Sequence, residues 1–190
     1  TVQSTIKQAA SILHRDCLKP HGFRKTGLNW STRGEWSHHI SISLNRWNTA
    51  ELAQLRFEAG IFIPEFHDIR ESPPIKGTPK YYDCAPRSFV HHSPELTWQE
   101  VTLTTSASSL ANGWRPLIEN VALPWLDELN SFAKVGNEFT QQNRFLDAAI
   151  AYALAGDRQA AAEAMKQSHQ RLHPTALPLA RRIAQKLRID

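Results

Sequence analysis

The stretch Leu18-Lys19-Pro20-His21-Gly22-Phe23 constrains the fold of this chain more than any other, because it stops a helix and starts extended chain within a few residues. Upstream, Val2, Ile6, Ala9, Ala10, Leu13 and Cys17 recur at helical spacing and make one apolar stripe. The residue before a proline disfavours the helical region, and glycine accepts the left-handed conformation that closes a helix. The chain therefore begins with an amphipathic helix and passes directly into strands.

Three strand-like runs follow. Residues 23–32 end near Arg33-Gly34-Glu35, which reads as a hairpin turn. Residues 36–47 alternate His38, Ile40, Ile42 and Leu44 with His39, Ser41, Ser43 and Asn45, the pattern of an antiparallel strand with one buried face. Residues 55–63 alternate Leu55, Phe57, Ala59, Ile61 and Ile63 with polar or small partners. Residues 64–94 carry six prolines and Gly77, and read as a long irregular loop of the kind that is functional or mobile. Residues 98–105, with Val101 and Leu103 inward, make a fourth strand.

A helix capped by Ser108 or Ser109 then presents Leu110, Trp114, Leu117, Ile118, Val121, Trp125 and Leu129 as an apolar stripe. Pro116 and Pro124 lie inside it, so a kink is expected near Leu123-Pro124. From Asn143 the chain is alanine-rich and helical, broken at Gly156-Asp157 and His173-Pro174. The whole predicts an α+β fold: an N-terminal helix, a four-stranded antiparallel meander with a helix across one face, and a C-terminal helical extension. The expected division is an α+β domain over residues 1–135 and a helical appendage over residues 140–190.

The chain has 190 residues, enough to bury roughly two thirds of its unfolded surface without metal or disulfide. It has no apolar run of about 20 residues, so no membrane span is expected, and no secretion signal is visible at its start. Its two cysteines, Cys17 and Cys84, suggest no disulfide framework and favour a reducing, cytoplasmic setting. Residues 1–155 hold 15 Lys/Arg against 15 Asp/Glu, whereas residues 156–190 hold 7 against 3, so the net charge of +4 lies in the tail. A globally basic nucleic-acid binder is therefore disfavoured.

Four motifs occur in a fixed order: Leu18-Lys19-Pro20-x-Gly22-Phe23-Arg24-Lys25, Gly60-Ile61-Phe62-Ile63-Pro64, Cys84-Ala85-Pro86-Arg87 before Trp98, and Leu123-Pro124-Trp125-Leu126. In this order they resemble an uncharacterised bacterial domain family over about residues 5–130, with His21 standing where that family carries an apolar residue. The resemblance implies an α+β domain with no established reaction. It also implies kinship with members read as immunity proteins, which bind and neutralise a toxin of their own lineage. Separately, Tyr152-Ala153-Leu154-Ala155-Gly156-Asp157 with Ala160, Ala161 and Pro174 resembles one tetratricopeptide-type helix pair. A single copy lacks stacking neighbours, so an ordinary helical hairpin is expected there.

Four chemistries compete for the functional residues. His38, His67 and one of His91 or His92 are the candidate ligands of a metal-dependent hydrolase, although neighbouring strand histidines point to opposite faces and no His-x-x-x-His spacing occurs. Cys84 as a nucleophile would need a lowered pKa, which adjacent Asp83 opposes and Arg87 favours. Arg181, Arg182, Lys186 and Arg188 form a basic strip that could meet nucleic acid, and Trp30, Trp36 and Trp47 with nearby arginines could stack on bases. The leading expectation is a non-catalytic module that binds another protein, a cognate toxin in its sharpest form, with no cofactor. Its contact residues are Trp36, Trp47, Phe66, Arg70, Tyr81, Tyr82 and Arg87, the aromatic and arginine types that dominate protein interfaces.

Overall fold

A computed structural model describes residues 1–91 and 98–189, so His92 lies outside the described residues. The helices are α1 (Val2–Leu13), α2 (Pro64–Ile69), α3 (Ala107–Leu117), α4 (Leu123–Glu128), α5 (Phe132–Gln141), α6 (Phe145–Leu154), α7 (Arg158–Arg171) and α8 (Leu177–Leu187). The strands are β1 (Arg24–Thr26), β2 (Asn29–Ser31), β3 (Ser37–Leu44), β4 (Leu52–Phe62), β5 (Arg87–Val90) and β6 (Gln99–Thr102). The protein is thus of mixed α+β class, with an N-terminal helix, an antiparallel sheet and C-terminal helices. Two compact units are distinguished: Thr1–Phe62 with Gly77–Asp127, and Ile63–Lys76 with Glu128–Asp190.

The first unit holds the sheet, ordered β1-β2-β3-β4-β5, with β6 also pairing β4. Among the described residues it has six strands where the sequence suggests four. Gly27, at φ 62°, turns residues 23–32 back on themselves, so that run forms the hairpin β1–β2. Residues 87–90 add β5 from within the expected loop. The central pair runs from Ser37↔Phe62 to Leu44↔Leu55, which sends Ile40, Ile42, Phe57, Ala59 and Ile61 to one face. All five are buried there, with Phe57 edge-on to Trp114 of α3 at 5.2 Å between ring centres. The Trp114 indole N–H donates to Gln99 Oε1 at 2.8 Å, giving a buried aromatic its polar partner.

Every member of the N-terminal stripe is buried, Cys17 included. A π-helical turn at His14–Leu18 ends α1, and Gly22 (φ 79°) opens the way to Phe23. A second π-helical turn at Ile118–Ala122 absorbs the irregularity between Pro116 and Pro124. The cap of α3 is Ser106, whose hydroxyl accepts from the Ser109 N–H at 3.1 Å, in place of the expected Ser108 or Ser109. Leu103, expected inward, is 59% exposed, because β6 ends at Thr102.

In the second unit α6 and α7 form the expected helical hairpin, with Asp157 capping α7 at 2.9 Å. Helix α5 precedes them. A Cβ at Gly136 of α5 would lie 2.7 Å from the Tyr152 ring of α6, so glycine permits close packing there. Phe66 of α2 stacks on Phe139 of α5 at 5.2 Å. Helix α8 buries Ala180 and Ile183, and its Arg182 meets Glu71 through Nε and a terminal nitrogen, the latter at 2.8 Å.

Candidate functional site

The alternation in β3 predicts one buried and one exposed face, yet His39 and Ser41 are buried on the supposedly exposed side. Residues 77–86 cover that face as a strap. Its backbone joins the sheet through Ala85 N–H to Ile61 O at 2.9 Å and Ile61 N–H to Pro86 O at 3.1 Å. Gly60 makes this approach possible, since a Cβ there would stand 2.7 Å from the Cys84 Cβ. Beneath the strap Ser41 and His39 are both partnered. The Ser41 hydroxyl donates to Asn29 Oδ1 at 2.8 Å, and His39 Nε2 shares a 2.8 Å hydrogen bond with the Ser37 hydroxyl. Burial lowers the His39 pKa to about 4, outweighing nearby Asp83, so this ring is neutral near pH 7.

Further along the same face Ser43 and Arg56 keep partial exposure. Arg56 donates from Nε to Glu58 Oε1 at 3.0 Å, and the Ser43 hydroxyl donates to Glu58 Oε2 at 2.7 Å. The Arg56 guanidinium lies 4.1 Å from the centre of the Phe89 ring and 4.7 Å from that of Trp98. Those two rings are 45% and 38% exposed. A buried carboxylate therefore fixes an arginine, and the arginine fixes two accessible aromatic rings. Each cation–π contact of this kind is worth about 0.5–1 kcal/mol where solvent reaches it.

The expected contact residues divide between the units. Tyr81, Tyr82 and Arg87 do come together: the Arg87 guanidinium lies 5.6 Å from the Tyr81 ring and donates to Tyr82 O at 3.4 Å. Tyr82 is 65% exposed, whereas burial pushes the half-buried Tyr81 phenol up to about 12. Trp47 is 74% exposed at the β3–β4 turn, with Arg46 over its ring at 4.6 Å, and Trp36 is half-buried just before β3. Phe66 is a correction: at 1% exposure it fills the core of the second unit, because the loop in which it was expected is there a helix. Arg70 belongs to that unit as well and faces Asp147 Oδ1 at 3.3 Å. Phe89, Trp98 and Arg56 escaped the sequence reading. The signal available for the first was the alternation through Arg87, Ser88, Phe89 and Val90, masked by flanking prolines.

Among the described residues no group of three or more histidine, cysteine, aspartate and glutamate side chains could hold a metal ion, so His38, His67 and His91 form no ligand set. His67 Nε2 instead contacts Pro73 O at 3.0 Å, and His38 is half-buried, with its pKa lowered by burial. The Cys84 thiol is buried and its pKa is raised by burial and by Asp83, the reverse of what a nucleophile needs. In the tail, Arg182 pairs with Glu71 and Lys186 donates to Asp68 O at 3.1 Å. Arg188 ends α8 in the left-handed conformation and Arg181 is exposed, so the basic strip is only partly available. No described helix is long and apolar enough to cross a membrane.

The family described as Domain of unknown function (DUF4304) matches residues 14–128. No curated protein and no solved structure matches the chain.

Proposed function

The chain belongs to the DUF4304 family of domains of unknown function, and on that footing we propose that it is a non-catalytic module that recognises another protein, a cognate bacterial toxin that it neutralises. The observation that carries this reading is Arg56 held between Phe89 and Trp98, with Glu58 and Ser43 behind it. Interface hot spots are aromatic and arginine side chains fixed before the partner arrives. This sheet face has that composition and that order, and Tyr82 and Arg87 stand at its strap.

The balance of charge over residues 1–155 favours a protein partner over nucleic acid on this face. Two buried free thiols fit a reducing cytoplasmic setting.

The test is co-expression with the product of an adjacent toxin-like reading frame, followed by affinity measurement on the purified pair. The expected complex buries about 1,600 Å² in total. Phe89→Ala with Trp98→Ala should weaken it by roughly a hundredfold, and Tyr81→Ala with Tyr82→Ala by less. Absence of a complex at micromolar concentration, or a complex indifferent to the first pair of changes, overturns the reading.

A further inference from the structure

Two arginines meet one carboxylate where α6 begins, and a third lines the same cavity. Arg70, Arg144 and Arg171 line a cavity of about 280 Å³ together with Asp147 and Ser168, all within the second unit. Arg144 Nε donates to Asp147 Oδ2 at 2.8 Å, and Arg70 Nε lies 3.3 Å from Asp147 Oδ1. Arg171 donates to Asn143 Oδ1 at 3.1 Å, with its guanidinium 4.5 Å from the centre of the Phe145 ring. Three positive groups against one negative leave the wall with a surplus of two.

Two independent features point to the same kind of occupant. The first turn of α6, which carries Asp147, opens onto the cavity, and its N-cap residue Arg144 makes no side-chain capping hydrogen bond. The first N–H groups of a helix have no internal acceptors and carry the positive end of its dipole. On α7 the Ser168 hydroxyl lies in the cavity floor, 2% exposed and with no hydrogen-bond partner among the described residues. Buried hydroxyls are normally hydrogen-bonded, so an orphan at a cavity marks a missing partner.

We infer that this cavity binds a small molecule through a phosphate monoester group, seated on the start of α6 between the arginines, with Ser168 donating to one of its oxygens. A doubly charged group matches the surplus of two, and guanidinium forks suit phosphate oxygens bidentately. The cavity exceeds what the phosphate alone would fill, and Phe145 and Leu172 offer an apolar wall to the organic remainder. The site goes beyond the protein-recognition reading and does not depend on it.

The experiment is calorimetric titration of the full chain with phenyl phosphate, inorganic phosphate and benzoate, each against sodium chloride of equal ionic strength. Saturable binding is expected, tightest for phenyl phosphate. Ser168→Ala removes only an unpartnered hydroxyl and should fold as well as the parent, yet weaken phenyl phosphate by roughly tenfold. Arg171→Gln should weaken it at least as much, and Lys166→Gln, outside the cavity, should not. Heat no greater than that of chloride, benzoate binding as tightly as phenyl phosphate, or wild-type affinity in both site variants overturns the inference.

Discussion

Gly60 and Cys84 pack so closely that a methyl group added at residue 60 would lie 2.7 Å from the Cys84 Cβ. Gly60→Ala should therefore destabilise the protein by about 1–3 kcal/mol, the usual cost of overpacking. The obstructing atom is a Cβ, so adding Cys84→Ala brings no relief, whereas adding Cys84→Gly recovers part of the loss. Urea unfolding of the single and double variants measures both. A Gly60→Ala protein as stable as the parent would contradict this placement of the strap.

Arg56 ties a buried carboxylate to two rings, so removing it should act on stability and on recognition together. Arg56→Met keeps the aliphatic stem but leaves Glu58, 5% exposed, without its cation. The expected loss is about 2 kcal/mol, reduced from that of a fully buried pair because Arg56 retains some exposure. Arg56→Met combined with Glu58→Gln should cost less than the sum of the single changes, as contacting residues do in a double-mutant cycle.

His39 makes stability depend on acid. Its folded pKa is lowered from 6.5 to about 4, so its contribution is complete above 6.5 and is lost as pH falls through 4. The difference is worth about 3 kcal/mol at most. Unfolding free energies measured from pH 7 down to 4 should fall, and His39→Asn should flatten that slope. A residual dependence is expected from His38, whose pKa is lowered in the same direction.

Both thiols should be silent in the native state. Burial pushes Cys17 up to about 11, reinforced by Glu119, and raises Cys84 as well. At pH 8 Cys17 is then about one part in a thousand thiolate. A disulfide reagent should label neither cysteine in the folded protein and both in concentrated urea. Because the folded pKa of Cys17 is raised, its contribution to stability is present below about 9 and lost as pH rises through 11.

Arg182→Ala should act locally, since the Arg182–Glu71 pair is exposed. Hydrogen exchange should quicken in α8 while the midpoint of urea unfolding stays nearly constant. Slowed or unchanged exchange in α8 would show that the pair does not hold that helix.

What the sequence disclosed depended on how local each signal is. The stripe from Val2 to Cys17, the alternation of β4 and the breaks at Gly156 and His173 are written in neighbouring residues, and each reappears in the structure. Strand β5 was hidden because only Val90 of its four residues is buried and prolines flank it. The Arg56, Phe89 and Trp98 cluster was hidden for a different reason. Its members sit on separate strands or their edges, and only cross-strand register brings them together. His39 and Ser41 misled the reading because alternation tells which side a residue faces, not what lies over that side.

Strand β4 carries a border across its own length. Toward Gly60 its outer side is roofed, and there any new atom must displace a neighbour. Toward Gln54 and Arg56 the same side keeps partial contact with solvent. One strand thus sets two different tolerances for substitution, with Gly60 and Arg56 only four residues apart.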